Sequence, residues 1–170
     1  NSESFERVSN IDFFPTLIKI VDYKKNIDLD GLDLNPIFEN KKLSNRSLFF
    51  HFPIYLEPYN VHKDQARDPL FRTRPGSVII KGNWKLHNYF EDDKIELYDL
   101  NNDLTELIDL SEINKEKKDE LFNELLNWRN ENKAPIPSKL NPDYDQFFVD
   151  SLNYLVASKK IRGKVNKNEY

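Results

Sequence analysis

Cysteine and methionine are both absent from the 170 residues, and glycine occurs only four times. Without cysteine there is no disulfide framework, no thiolate nucleophile and no Cys-ligated zinc or iron–sulfur centre. The glycines stand apart at Gly31, Gly76, Gly82 and Gly163, so no glycine-rich loop cradles a phosphate. Histidine is confined to His51, His62 and His87, without the HExxH or HxH spacing of a metal site. No apolar run approaches the ~20 residues of a membrane-spanning helix. Basic surplus is lacking too: 25 Lys and Arg against 29 Asp and Glu leave a net charge of -4. That balance argues against a general nucleic-acid binder, because neutralising phosphates takes a cationic excess. What is plentiful is aromatic: 12 Phe, 8 Tyr and 2 Trp mark a chain that folds around a core. The opening Asn1-Ser2-Glu3-Ser4 has neither initiator Met nor signal peptide, and is expected to continue from upstream sequence.

Periodicity orders the elements. Phe14, Leu17, Ile18 and Val21 fall at i, i+3, i+4 and i+7, which predicts a helix begun by Ser9 or Asp12, with Pro15 tolerated in its first turn. Such a stripe needs a partner surface. Residues 27–42 read as a connection with one short helical turn. Arg46 to Phe52 is a strand candidate stopped by Pro53. Leu56 to Pro75 is a long polar loop, of the kind that is often functional. Three strands then follow closely, Ser77–Lys81, Trp84–Phe90 and Ile95–Leu100, separated by Gly82-Asn83 and Glu91-Asp92-Asp93 as turns. These predict an antiparallel meander. A brief helix is expected over Leu104–Leu110. A long one is expected over Glu116–Asn130, with Leu121, Leu125, Leu126 and Trp128 on one side and Phe122 at its margin. One more apolar run, Phe147 to Val156, precedes a basic end.

Few local motifs carry chemistry. Glu91-Asp92-Asp93 and Asp28 to Asp33 lack the ligand spacing of an EF-hand and read as turns. Asn45-Arg46-Ser47 is a glycosylation sequon of a kind that an Asn-rich chain produces by chance. One stretch stands out: His51, Tyr55, Tyr59, His62, Arg67, Arg72 and Arg74 lie close together between prolines. Arginine offers a planar donor fork to sulfate, phosphate or carboxylate, and tyrosine rings stack on flat faces. A surface loop with ordinary salt bridges explains the same residues.

The order of segments resembles the sulfatase family, whose members are alkaline-phosphatase-like hydrolases. Val8 to Leu17 is similar to its "VS-x-x-D-(x)-x-PTL" helix, and Asp30 to Leu34 to its "DG-x-(S/D)-L" connection. Leu48 to Pro53 resembles "LFWHxP-(H)-Y", with Tyr55 in place and Ile54 where many members have a second His. Pro75 to Leu86 resembles "P-x-SAIRKGDWKLI", and Glu96 to Glu106 resembles "ELYDLxxDPxE".

The resemblance implies an α+β fold. Residues 1–45 would end a sulfatase α/β domain, 46–76 would form a strand and cleft loop, and 77–137 a small antiparallel sheet packed against a C-terminal helix, before a tail over 138–170. It implies a sulfuric ester hydrolase, arylsulfatase-like, whose catalytic groups lie upstream. The C-x-P-x-R motif that yields formylglycine is absent here, as are the calcium ligands, so no catalytic and no metal residues are expected in this segment. His51, Tyr55 and Arg74 are the implied substrate contacts. The implied partners are the upstream catalytic domain and a sulfated carbohydrate or aryl sulfate ester. Self-association of the isolated segment and a periplasmic or extracellular location are expected as well. The alternative is a carbohydrate- or protein-binding module with no hydrolytic role.

Overall fold

The computed structural model describes residues 3–24, 27–56, 71–139 and 141–157, with the backbone alone for 152, 153 and 155–157. The chain divides into two compact units, Asn1–Ser47 and Leu48–Tyr170.

In the first unit a 3-10 turn, Asn10–Asp12, runs straight into α1, Phe13–Ile20. Both candidate caps take part. The Ser9 N–H donates to Asp12 Oδ2 at 2.7 Å, closing the turn from its start. Asp12 is wholly buried and also accepts the Leu32 N–H at 2.9 Å. The Arg46 guanidinium grips both its oxygens, Nη1 on Oδ1 at 2.6 Å and Nη2 on Oδ2. One turn on, Thr16 donates its hydroxyl to the Asp12 carbonyl at 2.6 Å and accepts the Leu34 N–H at 2.9 Å. Two side chains thus fasten residues 32–34 along α1, and that approach explains Gly31. A Cβ there would lie 2.1 Å from the Ile11 carbonyl oxygen. The connection then makes its one helical turn, α2, Asn35–Phe38.

Because Asp12, Pro15 and Thr16 form the buried side of α1, the apolar stripe faces outward. Phe14, Leu17 and Val21 are all more than half exposed.

The second unit is built on a sheet of four strands in the order β1-β2-β3-β4. They are β1 Ser47–Phe52, β2 Gly76–Lys81, β3 Trp84–Tyr89 and β4 Ile95–Asp99, each end within one residue of its alternating sequence pattern. A two-residue turn joins β2 to β3, with Gly82 at φ 55° as such hairpins require. The antiparallel register sets Ile79 opposite Leu86 and Leu86 opposite Leu97. This row faces α3, Lys115–Glu131, which is started by Asn114 accepting the Lys117 N–H at 3.2 Å. Leu121 and Leu125 of α3 complete a core in which all five side chains are fully buried. Phe49, Trp84, Phe122 and Trp128 pack around it, Phe49 stacking on Trp128 at 4.9 Å. The tail's apolar run forms α4, Gln146–Ala157.

The brief helix expected at Leu104–Leu110 does not form. Asp103 takes the Leu107 and Ile108 N–H groups on one oxygen, at 2.7 and 2.8 Å, and Glu106 adopts the left-handed φ of 56°. A side chain competing for backbone donors and a left-handed residue each end a helix. The segment instead folds back on β4. Leu97 donates its N–H to Asp109 Oδ1 at 3.0 Å and accepts the Leu110 N–H at 2.8 Å.

Burial alone would raise the Asp12 carboxyl, but Arg46 and the two backbone donors outweigh it and hold the group below its ordinary 3.8. The stability this confers is present above that value and lost as pH falls through the lower folded one. Asp12→Asn leaves Arg46 shielded from water without its counter-charge. It should cost about 3–5 kcal/mol, read as a lower urea midpoint for the first unit.

Candidate functional site

Two stretches of the second unit meet just before β2. Leu56 donates to the Thr73 carbonyl at 3.1 Å and accepts the Arg72 N–H at 2.7 Å, so residues 55–56 and 71–74 lie as a short antiparallel ribbon. Pro75 accepts the Phe90 N–H at 3.0 Å, joining this ribbon to the end of β3. Tyr59, His62 and Arg67, singled out in the sequence, lie outside the described residues.

The ribbon brings Tyr55 and Arg74 together around Phe71. The Tyr55 ring lies 4.7 Å from that of Phe71, tilted by 47°, and the Arg74 guanidinium carbon sits 6.0 Å from the Phe71 centroid. Arg74 also makes a salt bridge with Glu91, from the turn after β3. The same carboxylate lies near enough to the Tyr55 phenol to bear on its ionisation. Partial burial pushes the phenol above its usual value, and the Glu91 carboxylate pushes it further against the pull of Arg74. Tyr55 nonetheless remains 45% exposed. Nothing in the sequence singles out Phe71, and Glu91 reads there only as part of a turn. Their nearness depends on pairing across a long insertion, for which no local pattern speaks.

His51 lies apart from that group, on the α3 side of β1. Its Nε2 is 2.8 Å from the Pro135 carbonyl, an acceptor, so Nε2 carries the proton. In the neutral ring Nδ1 then accepts the Ser77 hydroxyl, also at 2.8 Å. The imidazole therefore ties β1 to β2 and to the chain beyond α3, and a ligand contact would exchange one of these bonds.

Two further polar groups were not foreseen. Arg129 of α3 is buried, donates to Asn88 Oδ1 at 2.8 Å and lies over the Phe90 ring at 5.4 Å. On the other face of the sheet Glu106 accepts from Lys85 Nζ at 2.7 Å and from His87 Nε2 at 3.0 Å. Burial and the neighbouring Lys85 lower the His87 pKa, only partly countered by Glu106. Next to this trio, Phe50, Phe52, Val78, His87 and Tyr89 line a cavity of about 70 Å³. Among the described residues no three His, Asp or Glu side chains are gathered as metal ligands, and no helix is long and apolar enough to cross a membrane.

Comparison with known proteins gives this geometry a context. The family described as N-sulphoglucosamine sulphohydrolase, C-terminal, matches residues 1–133. A sulfatase of Formosa agariphila is 29% identical over 147 residues, which are 76% of this chain and 24% of that protein. A Bacteroides thetaiotaomicron protein described as a candidate sulfatase superposes with a TM-score of 0.55 at 19% identity, covering 77% of this chain and 27% of its own. A structure solved with its substrate D-glucosamine-2-N,6-O-disulfate superposes with a TM-score of 0.54 at 21% identity, over 76% and 25%. These likenesses establish a shared fold. The chain spans about a quarter of the length of the proteins it matches.

The His87 environment predicts a pH effect. The folded state disfavours the charged ring, so the unfolded chain takes up the extra proton first. Stability is full above about pH 6.5 and declines as pH falls below it. His87→Gln should flatten that decline by a few degrees in melting temperature between neutral and mildly acid buffers.

Proposed function

The chain belongs to the N-sulphoglucosamine sulphohydrolase C-terminal family, and from that membership we propose that it is the non-catalytic C-terminal part of a sulfuric ester hydrolase, where it shapes the mouth of the substrate cleft. The observation that carries the reading is a family match over residues 1–133 in a chain about a quarter as long as its sulfatase relatives. Hydrolysis of a sulfate ester requires concentrated positive charge around the sulfur and the leaving oxygen. Arg74 is matched by Glu91 and Arg46 by Asp12, which fits a supporting part and not the reacting centre. In this reading a formylglycine and a calcium ion belong to upstream sequence, and no step runs through the residues here.

Tyr55, Arg74 and His51 are the proposed substrate contacts, the first two from the ribbon and the third after exchange of one ring hydrogen bond. A sulfated carbohydrate is the favoured substrate class over an aryl sulfate ester, because one structure of this fold holds D-glucosamine-2-N,6-O-disulfate and another holds a neocarrahexaose. The upstream catalytic domain is the proposed partner for the open stripe of α1. A periplasmic or extracellular location accompanies the family reading.

The test compares this chain with the same chain extended upstream. The 170 residues alone should release no 4-nitrophenol from 4-nitrophenyl sulfate above buffer, whereas the extended protein should turn over a sulfate ester. Turnover by the short chain, or its absence from the long one on every ester offered, would overturn the proposal. The exposed Phe14, Leu17 and Val21 also predict that the short chain self-associates. Sedimentation should show a dimer or larger species that Leu17→Glu with Val21→Glu returns to monomer.

A further inference from the structure

The ribbon holds an aromatic side chain that is partly open to solvent yet backed by a second ring. Tyr55 is 45% exposed, while Phe71 backs its ring at 4.7 Å and Arg74, which shares the Phe71 ring, is paired with Glu91. The segment beneath it is pinned by the Leu56 hydrogen bonds to Thr73 and Arg72. An exposed tyrosine of this kind has already lost its rotamer freedom on folding, so a ligand that stacks on it meets little further ordering cost. Ring faces carry negative charge density and attract weakly positive C–H bonds, such as those on the flat side of a pyranose.

The charge beside it points to the same kind of ligand. Arg74 would be a natural anchor for a sulfate, but Glu91 occupies it. The pair as a whole is neutral, about one-third exposed on each side chain, and offers N–H donors next to carboxylate acceptors. Such a pair suits hydroxyl groups, which both donate and accept. It gives no net attraction to an anion.

We propose that Tyr55, backed by Phe71, is a stacking platform for a neutral, unsulfated sugar ring of a glycan, whose hydroxyls are read by the Arg74–Glu91 pair. The proposal rests on the reading of Tyr55 and Arg74 as substrate contacts and changes what they contact: the ring beside the sulfated unit, not the sulfate. The ribbon then selects substrates by their carbohydrate frame.

The test is binding, measured calorimetrically on the 170-residue chain. The probes are carrageenan and heparin hexasaccharides, each in sulfated and chemically desulfated form, with 4-nitrophenyl sulfate as an ester that lacks sugar. At least one desulfated hexasaccharide should bind within about threefold of its sulfated form, and 4-nitrophenyl sulfate should not compete. Tyr55→Leu should weaken binding about tenfold, the scale of one lost stacking contact, while Tyr55→Phe keeps most of it. Glu91→Gln removes the carboxylate charge beside Arg74 and should shift preference toward the sulfated form, with steeper salt dependence. It decides the matter even where Tyr55→Leu fails to fold. No saturable binding to any hexasaccharide, binding abolished by desulfation, or an unchanged preference in Glu91→Gln would overturn the proposal. Loss of the platform is distinguishable from failure of the family reading, which is decided by turnover in the extended protein and not by binding here.

Discussion

Ile79, Leu86 and Leu97 lie side by side across three strands and meet Leu121 and Leu125 of one helix, with water excluded from all five. Everything that positions the ribbon depends on that contact. A strand buried on one face tolerates no slip of a single residue, because every side chain would change sides. The register fixed by the core places Gly76 opposite Tyr89 and so brings Pro75 to Phe90. From there the turn carrying Glu91 reaches the residues just before β2. Five aliphatic side chains with no chemistry of their own thus determine where Tyr55, Arg74 and Glu91 come together.

Several cations among the described residues are engaged in the same way. Lys81 lies between Glu120 and Glu124, Lys85 shares Glu106 with His87, and Arg46 is spent on Asp12. Buried Arg129 meets the Asn88 amide and the Phe90 ring, with the Asp93 charge favouring its cationic form. Cations engaged in this way organise the polypeptide and leave little field to act on a distant anion. A supporting role beside a separately supplied reaction centre is the kind of work such a surface can do.

Much of this was legible in the residues. The strands could be read because Trp84-Lys85-Leu86-His87 and its neighbours alternate, and the pleat converts alternation directly into inside and outside. The helix over Leu121 and Leu125 could be read for the corresponding reason at 3.6-residue spacing. Glu106 could not. Its segment has helical composition, and only the capture of two amides by Asp103 makes it turn back. Arg129 was equally opaque, since a charge on an apolar helix face declares no partner until Asn88 and Phe90 are seen beside it. At the candidate site the resemblance pointed to Tyr55 and Arg74. It gave no hint of Phe71 and Glu91, which turn two isolated side chains into an organised surface.

The chain fold-back beyond β4 has a bearing on how the sheet can grow. A terminal strand normally presents a row of free amides and carbonyls to any passing extended peptide. At Leu97, the middle residue of β4, both groups are engaged by Asp109 and Leu110. That border is thereby blocked to strand addition, including the runaway stacking of copies that leads to fibrils. Lengthening of the sheet at this border, whether by a neighbouring segment in a larger polypeptide or by an added strand in an engineered one, would first have to displace Asp109 and Leu110.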